Sequence, residues 1–305
     1  MPATIAIIDG KIRVGLEDSE LNQLARDGQK CVKISRRDIP TALAAGRSGG
    51  TTVSATMLIA HRAGIKIFAT GGTGGVHRDL EKSLDISTDL TELGRTPVAV
   101  FSSGVKSILD IGKTLEFLET QGVTVATYDP QFREGRADFP AFFSRKSGFE
   151  SPNAFSSVEQ VARLVKTHLS LNHESGLLIG VPVPRQEEIP REEIEPVILS
   201  ALKEAKASEI RGQEVTPFLL AKVNQLTKGR SLKANVALIC NNAKVASEVA
   251  AELARLSEPC HDAVRAVNER KTVDQFTISK FRLTTSFFEL AGGDWGLSRR
   301  SPSKV

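Results

Sequence analysis

The chain has 305 residues, with 40 Lys+Arg against 36 Asp+Glu and a net charge of +4. A quarter of the residues are charged and 40% are hydrophobic, which excludes wholesale disorder and suits one large globular domain or two modest ones. No apolar run approaches the ~20 residues that span a bilayer, so no membrane-spanning helix is expected.

In chain order, short β-branched runs alternate with helical patterns, as in a layered α/β domain. Thr4–Ile8 reads as a strand ending at Asp9-Gly10, and Ser19–Asp27 as a helix stopped by Gly28. Lys30–Ile34 is a second strand, and Ala44–Thr52 a loop of small residues opening onto a helix over Thr51–Arg62. Ile65–Ala69 reads as a buried strand leading into Gly71-Gly72-Thr73-Gly74-Gly75. Val98–Phe101 is a further strand, followed by a helix over Ser107–Thr120, and Val123–Thr127 a strand again. Tyr128–Asn153, rich in Phe, Gly and charge, reads as an excursion from the layer. Then come a helix at Val158–Leu171, a strand at Gly176–Val181, and helices at Glu192–Ala207, Pro217–Leu226 and Ser231–Leu256. The expected fold is α/β, a three-layer α/β/α sandwich with a mixed central sheet. Residues 257–305 have weak periodicity and are expected to be a divergent, partly disordered tail after a domain over 1–256.

The positive charge is concentrated in that tail. Arg255–Val305 holds nine Lys/Arg and six Asp/Glu, leaving thirty-one against thirty in the rest of the chain. A nucleic-acid binder would gather its cations on a patch, often with aromatics between them, so no nucleic-acid partner is expected. Cys31, Cys240 and Cys260 are odd in number and far apart, which points to a reducing compartment and a cytoplasmic protein. The short, uncharged start before Asp9 predicts no secretory leader.

Several segments carry chemistry-bearing residues, each with a plain structural reading beside the functional one. The glycines at 71–75 can cradle a phosphate or form a tight turn; they match neither the dinucleotide fingerprint nor a Walker loop. Thr51 and Thr52 at a helix start suit an anion or a simple cap. Asp85, Ser87 and Asp89 suit a hard cation such as Mg2+ or Mn2+, or a solvated acidic helix start. Lys106 lies just past a strand among small apolar residues, where α/β sheets build sites. Desolvated there, its amine would attack an aldehyde; left in water, it is an ordinary surface lysine. Lys33 fits a phosphate or an exposed basic turn, and Asn235 a substrate contact or a helix start.

Taken together in order, the strings PATIAII at 2–8, VKISRRD at 32–38, GTTV at 50–53, FATGGTGGVHR at 68–78, DISTDL at 85–90, GVKSILD at 104–110, TPFLL at 216–220 and SLKAN at 231–235 resemble one family. It is the pseudouridine-5′-phosphate glycosidases, which include the indigoidine synthase A-like proteins, and the resemblance covers roughly Pro2–Leu256. It implies reversible cleavage of the carbon–carbon glycosidic bond of pseudouridine 5′-phosphate to uracil and ribose 5-phosphate. It also implies a homotrimer and a divalent cofactor, Mn2+, associated with Asp85. By the same resemblance Lys106 is the Schiff-base nucleophile, and Lys33, Val53, Ser87, Thr88, Asp89 and Asn235 meet the substrate.

A lysine makes sense for this bond, because uracil C5 would otherwise depart as a carbanion. An iminium at C1′ supplies an electron sink, and protonation at C5 makes uracil a workable leaving group. Members of the family carry a segment with a general acid/base glutamate ahead of the PATIAII string, whereas here Met1 falls on that string. Two function classes follow: an active carbon–carbon glycosidase, or a sugar-phosphate binder or subunit of weak turnover.

Overall fold

A computed structural model describes residues 3–28, 30–78, 80, 84–210 and 215–257. The chain divides into two units, Met1–Glu258 and Pro259–Val305. Only the first contains described residues, so the expected tail lies, apart from Ser257, outside them. The α/β class holds, but the strands form two sheets rather than one.

The smaller sheet is built from the first fifty residues. β1 (Ile5–Ile8) turns at once into β2 (Lys11–Val14). Asp9 and Gly10 both have positive φ, at 47° and 69°, which matches the right-handed twist of a two-residue hairpin. After α1 (Asp18–Arg26), β3 (Val32–Ile34) pairs parallel with β4 (Gly49–Thr51), and β4 pairs antiparallel with β1. The order is β2-β1-β4-β3, and the mixed pairing expected of the central sheet is confined here. β4 occupies what reads in sequence as a loop. A Cβ on Gly49 would collide with the Val32 carbonyl, so the strand depends on the glycine's lack of a side chain. A single 3-10 turn (Arg36–Asp38) and α2 (Ile39–Ala44) link β3 to β4.

The larger sheet is wholly parallel. It comprises β5 (Ile67–Ala69), β6 (Ala99–Ser102), β9 (Leu177–Gly180), β7 (Thr124–Tyr128) and β8 (Ala154–Phe155), in that spatial order. Alternation along the strands separates its two faces. Val100, Val125 and Leu178 join one core with Leu118 of α5 (Ile111–Thr120), Ile194 and Ile198 of α7 (Arg191–Ala207), and Leu219 of α8 (Val215–Leu226). Phe101, Ala126, Leu177 and Ile179 join the other with Val161 and Val165 of α6 (Val158–Ser170) and Val245 and Val249 of α9 (Arg230–Ser257). Each such Leu, Ile or Phe, fully buried, contributes roughly 1.5–3 kcal/mol of transfer free energy.

α3 (Val53–Arg62) ties the sheets together, since Val53 and Met57 belong to the core of the larger one and Ala55 and Ile59 to that of the smaller. α4 (Thr88–Leu93) packs on α3. The helix expected from Ser107 begins only at Ile111. The Asp110 amide donates to the Val76 carbonyl at 2.8 Å, and its side chain caps the Lys113 amide at 3.0 Å, fixing the first turn there. The excursion after Tyr128 is a strap over the carboxyl ends of β6 and β9. Phe139, Phe142 and Phe143 from it are buried in the main core.

Candidate active site

Two loops at the carboxyl end of the larger sheet run side by side. The Ser103 amide donates to the Gly71 carbonyl at 2.9 Å, the Thr73 amide to the Gly104 carbonyl at 3.1 Å, and the Lys106 amide to the Thr73 carbonyl at 3.2 Å. Gly104 has a φ of 81° and packs under the Pro140 carbonyl, so a side chain would be both strained and obstructed there. The strap thus presses the loop that carries Lys106 onto the glycine loop.

The Lys106 side chain is mostly withdrawn from water, and that burial pushes its pKa down from the ordinary lysine value. Asp89 opposes the shift and Lys33 reinforces it, so the three side chains share one electrostatic neighbourhood. Asp89 is buried, and each of its oxygens takes a backbone amide: Ser54 on α3 at 3.0 Å and Gly74 at 2.9 Å. A Cβ on Gly74 would overlap Ser87 and crowd Asp89, so the carboxylate reaches the loop because that residue is glycine. Ser87 accepts the Asp89 amide at 3.3 Å and caps α4, while the Thr88 hydroxyl meets Ser35 at 2.8 Å. Asp89 is therefore a clamp between α3 and the glycine loop as well as a charge facing Lys106.

The smaller sheet contributes Lys33, exposed on β3, and Val53 is the first residue of α3. Behind them the fully buried Glu92 holds Arg36 at 2.8 Å and Arg95 at 2.9 Å, and accepts the Thr96 hydroxyl at 2.6 Å. On the opposite side, Asn235 of α9 stands beside Gly71 with its side-chain oxygen buried and unpartnered. An orphaned buried acceptor is costly, and a ligand donor would relieve it. Of the expected residues, Lys33 and Asp89 share the electrostatic neighbourhood of Lys106, Ser87 and Asp89 meet the glycine loop at Gly74, Asn235 meets it at Gly71, Asp85 lies by His77, and Val53 and Thr88 open the neighbouring helices.

Two residues outside the expected set take part. His77 lies 3.6 Å from Asp85, and its pKa is lowered, first by burial and then by Lys33, against the pull of Asp85. The second is Asn242, fully buried on α9. It donates to the carbonyls of Thr70 at 2.8 Å and Gly71 at 3.3 Å and accepts the Ser103 hydroxyl at 3.2 Å, binding both loops to the helix. The sequence signal for His77 is its place in the charged run with Asp85; for Asn242 there is none, since its partners are about 140 to 170 residues away.

Among the described residues no group of three or more His, Cys, Asp or Glu side chains gathers to enclose a metal. Asp85 with His77 nearby is too small a set for an all-protein cage. It fits a hard cation that keeps most of its water and takes further oxygens from a substrate phosphate.

The family described as indigoidine synthase A like protein matches residues 1–252. The chain belongs to that family. It is 50% identical over 258 residues to pseudouridine-5′-phosphate glycosidase 2 of Rhizobium johnstonii, covering 85% of this chain and 81% of the relative. It is 48% identical over 256 residues to the pseudouridine-5′-phosphate glycosidase of Arabidopsis thaliana, covering 84% and 76%. Among solved structures of similar proteins, prealnumycin C-glycosynthase in complex with ribulose 5-phosphate superposes with a TM-score of 0.76 and 38% identity, over 84% of this chain and 82% of that one. An indigoidine synthase A-like protein of Thermotoga maritima gives a TM-score of 0.73 and 40% identity, over 82% and 80%.

Proposed function

We propose that the chain is a pseudouridine-5′-phosphate glycosidase that cleaves its substrate reversibly to uracil and ribose 5-phosphate, with Lys106 as the covalent nucleophile. The observation that carries this reading is the withdrawn Lys106 amine, whose pKa is lowered by its burial at the edge of the glycine loop. The neutral amine attacks C1′ as the C1′–O4′ bond breaks, and O4′ takes up the proton that the amine gives. A proton added at uracil C5 makes that carbon tetrahedral and leaves the ring cationic. The lysine lone pair then forms C=N while the C1′–C5 pair returns to the ring, so uracil departs neutral. Water hydrolyses the iminium and frees ribose 5-phosphate and Lys106.

In this reading Lys33 and the first turn of α3 at Val53 face the sugar-phosphate with Ser87, Thr88 and Asp89, and Asn235 offers its unpartnered oxygen to a donor on the base. Asp85 would hold Mn2+, and the ion would supply positive charge that neutralises and positions the phosphate. The same reading makes the chain a cytoplasmic homotrimer. An apolar stripe on α9 supports association: Leu232, Val236 and Ile239 are 55%, 57% and 45% exposed. The free thiols of Cys31 and Cys240 suit a reducing compartment.

The test is borohydride reduction in the presence of ribose 5-phosphate, followed by peptide mass spectrometry. The adduct is expected on Lys106, and one on any other lysine overturns the assignment. Uracil release from pseudouridine 5′-phosphate by the 305-residue chain separates turnover from the sugar-phosphate-binding alternative. Light scattering reads the trimer.

A further inference from the structure

A second pocket lies at the carboxyl ends of β7 and β9, and none of its lining residues belongs to the set around Lys106. Its volume is about 280 Å³, at the low end for small-molecule sites. Its place in the topology is informative. The chain leaving β7 runs through the strap and β8 to α6 on one face of the sheet, whereas the chain leaving β9 runs to α7 on the other. Neighbouring parallel strands whose continuations diverge in this way open a crevice, and such crevices hold ligands in open α/β sheets.

The floor is apolar and the rim is polar. The buried Tyr128 ring and Pro182 supply flat surface, and Arg145 is set in place from two sides. Its guanidinium donates to Asp129 at 2.6 Å and to the Val183 carbonyl at 2.8 Å, so Asp129 is neutralised. Arg185 and Lys244 reach the pocket from different elements, a 3-10 turn and α9, and neither forms an ion pair among the described residues. Against them stands one unpaired carboxylate, Glu248. The balance is positive by one, with the Asn241 carboxamide alongside to donate. A phosphate group, carrying roughly −1.5 to −2 at neutral pH, is opposite in sign to that surplus, and a small ring or sugar body suits the tyrosine and proline wall.

We propose that this pocket is a second binding site, for a small phosphate-bearing molecule, beside the catalytic one. Both sites share structure: α9 presents Asn235 and Asn242 to the loops and Asn241 and Lys244 to the pocket, and the strap runs from Phe142, against Gly72, to Arg145. Occupancy of the pocket therefore bears on the two elements that hold the Lys106 loop.

Tyr128 is the sole tyrosine of the chain, so 3-fluorotyrosine places a single fluorine signal in the pocket. Titration of the full chain with ribose 5-phosphate should shift that signal saturably, and inorganic phosphate should do so more weakly. The double variant Arg185→Gln/Lys244→Gln, at two exposed positions, should weaken the response by about tenfold or more, whereas Lys33→Gln should leave it unchanged. An equal response to chloride at matched ionic strength, no saturation, or indifference to the double variant overturns the proposal. The readout does not pass through Lys106, so it stands or falls separately from the trapping experiment.

Discussion

A lysine amine buried as Lys106 is holds its proton less tightly than one in water. Uracil release should therefore rise with pH along a limb whose midpoint lies below the usual lysine value. Lys33→Gln removes a cation that lowers this midpoint, so the limb should move to higher pH; a limb that stays put removes Lys33 from the field around the amine. Stability carries its own signature of the same group. Between the lowered folded pKa and the ordinary unfolded one, the unfolded chain binds more protons, so stability should rise with pH across that window. Lys106→Met should erase this rise in thermal melts without lowering Tm at neutral pH. The same variant should cut turnover on the order of 10³-fold or more.

At the scale of elements, Asn242 and the glycines decide whether the two loops stay in register. Asn242→Leu leaves the Thr70 carbonyl and the Ser103 hydroxyl without their partner, while the Gly71 carbonyl keeps the Ser103 amide, and each buried unsatisfied group costs about 1–3 kcal/mol. Urea unfolding should show a loss of that order, and kcat should fall more than KM, because the loops move while the substrate contacts remain. Gly104→Ala meets a positive φ and the Pro140 carbonyl together, so it should destabilise by more than ~1 kcal/mol and impair trapping at Lys106. The alternation of strands and helices from Ile65 onward was legible in the sequence, because buried parallel strands are apolar runs and the covering helices have a clear stripe. β4 was not, since Gly-Gly-Thr has no strand propensity and is held by its neighbours. α4 was legible only as the acidic helix start that competed with a cation site at Asp85–Asp89, because six residues with a serine cap carry little periodicity. Lys106 could be singled out by its place after a strand, but the burial that lowers its pKa comes from tertiary packing that its own segment does not reveal.

At the scale of the whole molecule, the charged neighbourhood of Lys106 is drawn from both sheets. The family match ends at residue 252. A chain ending at Ser257 should accordingly keep the Tm and the trapping reaction of the full chain; a large loss of either would assign residues 258–305 a part in the fold. The smaller sheet supplies Lys33, and the larger supplies Lys106. They are joined by α3 and by one carboxylate, Asp89, gripping an amide on each side. A ligand that spans the two lysines acts as a second fastener across that seam. Binding would therefore be felt far from the contact itself. Amide exchange along β3 and β4 should slow in proportion to sugar-phosphate occupancy, by the linkage that ties ligand concentration to opening free energy. The seam between the two sheets is also the place where a bound sugar-phosphate would be sensed.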